Sequence, residues 1–310
     1  VEHSAGQRAS RRRVAKIARV ALNVTDLQRI REIDPFLLET LETPSVREFS
    51  ESYLSRTREG MWADSRDALE PLALDSRDRV LDVGCGTGEL SRVLATESPG
   101  EVIGCDADSD LLAVASEHVP TVAGDAVQLP FPDDTFDLVV CQALLINLPD
   151  PTAALEEFAR VSTDLVAAVE PDNAAVEIDS SVDAEGRLER RARRAYLEGV
   201  DTDVALGAGA RDAFETAGLE VLETRRYDHV RTVEPPYSDG ALMAARRKAT
   251  GDGLADDRET ILSGAVTESE YDDLRSSWRE MGRTVVEQMG AKEYRRAETV
   301  PFFVTVGRVA

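Results

Sequence analysis

The apolar positions of the chain change rhythm near residue 79. Upstream, Val14, Ile17, Ala18 and Ala21 fall at helical spacing and Thr25 with Asp26 offers a helix cap, so 14–74 reads as helical. From Arg79 onward, short apolar runs bounded by Gly, Asp and Pro alternate with helical patterns: 80–83, 102–105, 121–123, 136–141 and 165–170. Strands separated by helices imply βαβ units, and hence a doubly wound α/β fold with a mostly parallel sheet. Beyond Pro171 the rhythm loosens. A helical stretch carries Arg187, Arg190, Arg191, Arg193 and Arg194, a helix over 210–217 stops at Gly218, and 219–233 alternates as a long strand. Residues 234–299 are polar, helical in part and punctuated by Gly251, Asp252 and Gly253; a β-branched and aromatic strand, 302–309, closes the chain.

Composition adds habitat more than chemistry. A chain of 310 residues, 42% hydrophobic and 31% charged, is globular and long enough to bury a core without disulfides or metal. Thirty-six basic against fifty-nine acidic residues give a net charge of −23, with Lys16, Lys248 and Lys292 the only lysines. That balance resembles the acidic surfaces of proteins from halophilic organisms, and it argues against a nucleic acid partner at low salt. The longest apolar stretch, 138–146, is interrupted by Gln142 and is far short of the ~20 residues a membrane span needs. Cys85, Cys105 and Cys141 show no metal-ligand or disulfide spacing, so no metal is expected and a soluble protein of the reducing cytoplasm is. The basic cluster Arg8, Arg11, Arg12 and Arg13 lacks the apolar segment of a secretion signal and reads as a solvated helix start.

Chemistry concentrates in Val80-Leu81-Asp82-Val83-Gly84-Cys85-Gly86-Thr87-Gly88-Glu89-Leu90, where an apolar strand runs into three alternate glycines and then a helical pattern. Glycine lets the chain turn sharply and lets a ligand approach the backbone. A turn of this kind at the carboxyl end of a first strand is where open α/β sheets bind nucleotides. The spacing is G-x-G-x-G instead of the dinucleotide G-x-G-x-x-G, and Asp82 lies two positions before the first glycine. Pyrophosphate wants an anion cradle. An acid beside the glycines suits a ligand bearing positive charge, such as the amino group of S-adenosylmethionine.

This segment resembles the first motif of the class I S-adenosylmethionine-dependent methyltransferases of the methyltransferase-11 type, and further matches follow in order over 79–172. Ile103-Gly104-Cys105-Asp106, with Ala107, resembles the second strand, whose terminal acid binds the ribose hydroxyls. Gly124-Asp125-Ala126 before Leu129-Pro130-Phe131 resembles the adenine loop. Residues 136–142, ending at Gln142, resemble the fourth strand, which faces the transferred methyl. The resemblance implies a seven-stranded, mostly parallel sheet with an antiparallel last strand beside 219–233. It divides the chain into an N-terminal helical extension, 1–74, and a methyltransferase domain, 75–310, in which 234–299 is a lid-like insertion. It implies S-adenosyl-L-methionine held by Asp82, Gly84, Cys85, Gly86, Gly88, Asp106, Ala107, Asp125, Ala126 and Gln142. Tyr53 is the candidate aromatic packing over the cofactor, with Arg58 and Trp62 as alternatives.

The acceptor is less marked. Relatives that methylate quinones carry a histidine-rich segment and a Lys-Pro-Gly-Gly turn, where this chain has 144–149 and 160–164. Glu234-Pro235-Pro236-Tyr237 lies too late to be the amino-methyltransferase motif that it resembles, and reads as a stiff connection. Transfer of methyl by in-line displacement needs a base only if the acceptor loses a proton. Glu170, Asp172 and His229 are the candidates, with Tyr227 nearby. A small-molecule acceptor is expected, the insertion and the N-terminal helices forming its pocket, and a homodimer is left open. The alternatives are an RNA or protein methyltransferase using the Arg187–Arg194 cluster, and a cofactor-binding protein without catalysis.

Overall fold

The computed structural model describes residues 61–62 and 66–309. The helical reading of 14–60, Tyr53 and Arg58 lie outside the described residues. Just before the sheet, Arg66–Leu72 and Leu74–Ser76 are 3-10 turns where α-helix was expected, and Pro71 removes a backbone donor there.

The sheet begins with β1 (Arg79–Val83), α1 (Glu89–Glu97), β2 (Glu101–Asp106), α2 (Ser109–Ala115), β3 (Thr121–Ala123), β4 (Phe136–Gln142), α3 (Pro151–Val161) and β5 (Ser162–Pro171). These five strands are parallel in the order β3-β2-β1-β4-β5. Alternate side chains point to opposite faces. Val80, Leu138, Val140, Leu165 and Ala167 pack on one face, and Leu81, Val83, Val139, Cys141, Val166 and Ala168 on the other. Both faces are apolar because both are covered, which is why these strands read as continuous hydrophobic runs.

The second half supplies β6 (Glu177–Ser180), α4 (Glu185–Leu197), α5 (Ala210–Thr216), β7 (Glu220–Val233) and β8 (Arg296–Arg308). The last strand is antiparallel, as expected. β8 pairs with β5 through Phe302–Arg308 and with β7 along its length. It starts six residues earlier than expected, because its polar first part, Arg296–Thr299, pairs with β6. β6 is an eighth strand, and Glu-Ile-Asp-Ser carries too little alternation to announce it.

Between β7 and β8 lie α6 (Asp239–Thr250), α7 (Asp252–Asp256), α8 (Arg258–Ser263) and α9 (Glu268–Ala291). A capping box, Thr267 with Glu270, starts α9. Its Tyr271, Leu274, Trp278, Met281 and Val285 recur at helical spacing and bury against Leu188, Ala192 and Ala195 of α4, Ala245 of α6 and Ile261 of α8. The backbones of α6 and α9 touch at Gly282, where a Cβ would lie 2.3 Å from the Ala249 nitrogen. Residues 234–295 and α4 therefore share a third, helical core. Buried Glu185 ties that core to β8: it pairs with Lys248, accepts from Tyr294 Oη at 2.9 Å and lies 3.6 Å from Arg296. No helix of the described residues is long and apolar enough to cross a membrane.

Candidate functional site

β1 ends at Val83 and the chain turns through Gly84, Gly86 and Gly88, whose φ values of 68°, 54° and 81° lie in the left-handed region. The Gly84 and Cys85 N–H groups both donate to the Cys105 carbonyl, at 2.7 and 3.1 Å, which fastens the turn to the end of β2. A Cβ on Gly84 would lie 2.8 Å from Leu144 Cδ1, so the turn also abuts the loop after β4. Beneath it, Asp82 is buried and accepts from Ser91 Oγ at 2.5 Å, joining β1 to α1.

Asp106, at the tip of β2, accepts from the Gly86 N–H at 2.8 Å through one oxygen and from the Asp108 N–H at 2.9 Å through the other. A carboxylate has about four acceptor positions. Two therefore stay available, the number that a vicinal diol would use. Asp125 follows β3 and accepts from the Val127 N–H at 3.1 Å.

A cavity of about 890 Å³ runs along the carboxyl edge of the sheet. At one end lie Gly84, Gly86, Asp106, Ala107, Asp108, Asp110, Asp125 and Ala126; Gln142, Leu144 and Asn147 line the middle; Arg193, His229, Arg231, Glu298 and Phe302 line the other end. The strand order β3-β2-β1-β4-β5-β8, with β7 beyond β8, sets these groups apart. One end is acidic and the other carries guanidinium groups.

Several expected residues line this cavity: Gly84, Gly86, Asp106, Ala107, Asp125, Ala126, Gln142 and His229. Asp82, Cys85 and Gly88 do not; they belong to the framework of the turn. The thiols are inert packing groups. Burial, then the charge of Asp106, pushes Cys105 up to about 12, and burial also raises Cys85 and Cys141. Gln142 is buried, accepts from Trp62 Nε1 at 3.1 Å and contacts Met61 Sδ at 3.0 Å. Trp62 in turn lies 5.6 Å from the Tyr227 ring, and Tyr227 stacks on Phe302 at 5.5 Å.

Two of the expected bases, Glu170 and Asp172, lie off the cavity lining. Glu170 is fully buried, does not line the cavity, and accepts from the N–H groups of Leu144, Leu145 and Ile146 at 3.0, 2.9 and 3.3 Å. It holds the loop after β4, whose first residue, Ala143, has a φ of 49°. That conformation is costly for a non-glycine residue and needs such support. Asp172 caps its own turn, accepting from the Ala174 and Ala175 N–H groups at 3.0 and 3.2 Å, and does not line the cavity either.

His229 on β7 is the expected base that does reach the cavity. Burial, then the charge of Arg231, lowers its pKa below the ordinary histidine value. Its Nε2 has no hydrogen-bond partner among the described residues. Glu298, which sequence reading missed, is 6% exposed and lies among three guanidiniums: Arg231, and Arg193 and Arg296 at 3.4 Å. Burial alone would raise its pKa, but Arg296 and Arg231 outweigh it and hold the carboxyl at about 2. Arg193 projects to this site from α4, whereas Arg187, Arg190, Arg191 and Arg194 are exposed. The arginine run is thus split, with one member turned inward. Among the described residues no cluster of His, Cys, Asp and Glu could hold a metal.

Residues 81–164 match the family model described as a methyltransferase domain. A demethylmenaquinone methyltransferase of Lactiplantibacillus plantarum is 42% identical over 107 residues, which are 31% of this chain and 45% of the relative. A 2-phytyl-1,4-naphtoquinone methyltransferase of Synechococcus elongatus is 40% identical over 107 residues, covering 31% and 46%. The chain thus spans just under half the length of these curated relatives. A solved structure of a SAM-dependent methyltransferase from Aquifex aeolicus is 20% identical, covers 60% of this chain and 93% of that one, and superposes with a TM-score of 0.43.

Proposed function

We propose that the chain is an S-adenosylmethionine-dependent methyltransferase acting on a small molecule. The observation that carries this reading is the left-handed glycine turn fastened to a β2 acid that keeps acceptor positions for a diol, both facing one cavity. The methyltransferase-domain match over 81–164 supports it. The donor set fits the cofactor. Asp106 would take the ribose hydroxyls, Asp125 and Ala126 the adenine, and the acidic end of the cavity favours a sulfonium and an ammonium over the phosphates of a dinucleotide.

When bound, the cofactor supplies an electrophilic methyl on sulfur. The residues of this chain then do three things. The loop 143–147, held by Glu170, walls the middle of the cavity against water. The apolar face of Phe302 and Val300 orients the acceptor in line, and positioning alone is worth up to roughly 7–11 kcal/mol. His229, neutral near pH 7, takes the proton of an acceptor O–H or N–H at Nε2. The expected lid 234–299 contributes only Glu298 to the cavity lining; its other described residues brace α4 from behind, so we assign it a supporting role for Arg193.

Calorimetry with the demethylated product, S-adenosylhomocysteine, tests the reading. Wild type should bind one equivalent, and Asp106→Ala should weaken binding at least tenfold, since charge-assisted hydrogen bonds are worth about 1.5–3 kcal/mol. Equal affinity in the variant would refute the assignment. The charge of −23 supports, separately, a protein that works at high salt, where that charge is screened. Its unfolding temperature should then rise steadily from low salt to molar KCl.

A further inference from the structure

The far end of the cavity gathers guanidinium groups in a chain that is strongly acidic as a whole. In a chain of net charge −23, the cavity wall contributed by α4, β7 and β8 carries two guanidiniums, Arg193 and Arg231, against the single carboxylate of Glu298. That carboxylate is shared with Arg296, which also lies 3.6 and 3.7 Å from Glu185 and Glu189 on the side of the helical core. Glu298 therefore cannot neutralise the wall. Its closest partner is Arg231. Arg193 is left with two long contacts, 3.4 Å to Glu298 Oε1 and 3.4 Å to the Val176 carbonyl, both near the limit for a hydrogen bond. A guanidinium has five N–H donors in a planar fork, a shape that matches a carboxylate through two parallel bonds.

The surroundings favour an organic acid over an isolated ion. Phe302, Val300 and Val176 supply apolar wall beside the guanidiniums, and His229 Nε2 and Asn147 Oδ1 are buried polar atoms without hydrogen-bond partners among the described residues. An acceptor with an apolar body, a hydroxyl or amine and one anionic end would use all of these.

We propose that the methyl acceptor is a small carboxylic acid whose carboxylate is held by Arg193 at the end of the cavity opposite Asp106. This assignment rests on the methyltransferase reading and sharpens it. It separates the chain from the two relatives described above, which are named for quinone substrates and align with only a third of its length. The matched domain, 81–164, includes neither Arg193, Arg231 nor Glu298.

The test uses matched acids and primary amides: 4-hydroxybenzoate, 3,4-dihydroxybenzoate and indole-3-acetate, each against its amide. Full-length wild type, Arg193→Gln and Arg193→Lys are titrated with all six, in the presence and absence of saturating S-adenosylhomocysteine. Acids should bind wild type at least tenfold more tightly than their amides. Arg193→Gln should erase that preference and Arg193→Lys keep part of it, with S-adenosylhomocysteine affinity unchanged and the unfolding temperature lowered only as far as Glu298 loses one of its three guanidiniums. A purely structural Arg193 would move the unfolding temperature and leave the acid-to-amide ratio intact, which would overturn the proposal. So would amides binding as well as acids, or no acid in the panel binding. If S-adenosylhomocysteine itself fails to bind wild type, the methyltransferase reading falls, and the ratio measured without it decides the carboxylate site alone.

Discussion

The two ends of the cavity are built by different means. The acidic end is made by three strand-to-loop transitions close together in the chain, after β1, β2 and β3, and Gly84, Gly86, Asp106, Ala107, Asp125 and Ala126 each sit within three residues of a strand terminus. The arginine end is assembled from α4, β7 and β8, which are 38 residues apart for Arg193 and Arg231 and 67 for Arg231 and Glu298. The first depends on backbone shape. The second depends on side chains brought together by a long antiparallel pair and a helical layer behind it. A site of the first kind tolerates change elsewhere, whereas one of the second kind changes with any of three elements.

The largest expected effect comes from breaking the loop that lies between the two ends. Glu170→Ala leaves the N–H groups of Leu144, Leu145 and Ile146 without their buried acceptor, and at about 1–3 kcal/mol for each unsatisfied buried donor should be the most destabilising of these substitutions in denaturant unfolding. Any folded fraction should have lost affinity at both ends together. Next comes acid. The Glu298 carboxyl is held at about 2 against an ordinary 4.5, so its contribution is complete above pH 4.5 and is lost as the pH falls towards 2. By linkage this is worth about 3 kcal/mol, and Glu298→Gln should flatten that part of the stability curve.

A smaller loss should come from His229. Its pKa is lowered in the folded protein, so its contribution is full above about 6.5 and shrinks as the pH falls through the folded value. Below that range, turnover should fall as the ring gains its proton, and His229→Gln should remove that limb of the pH–rate profile. Smallest of all, Arg187→Gln with Arg190→Gln should leave cofactor and acid binding unchanged, because both side chains are exposed. A strong loss there would show that the helix acts as a basic surface and would favour a polyanionic substrate.

The same contrast explains what the sequence revealed. Asp106, Asp125 and the glycine turn were legible because a strand, a turn and one acid within a few residues define their geometry. The inner parallel strands β1, β4 and β5 were legible because burial on both faces makes them uninterrupted apolar runs, whereas β3 at the sheet edge is a short, half-buried run. The loop-holding contacts of Glu170 were not legible for a physical reason: a carboxylate at a strand end reads as a base. Its real partners converge only through the β4–β5 register, which sets Gln142 beside Val169. Arg193 was visible only as one of five arginines, since nothing local distinguishes the half-buried member from its exposed neighbours. Glu298 was hidden inside a polar stretch that read as insertion. It belongs to β8, whose polar first part shows its strand character only through pairing with β6 and β7.

The most direct test of the account is a crystal structure of the chain with S-adenosylhomocysteine. The ribose hydroxyls should lie on Asp106, the adenine beside Asp125 and Ala126, and the sulfur should face the part of the cavity that leads to His229 and Arg193. A product bound elsewhere, or a glycine turn found to clasp a pyrophosphate, would contradict it.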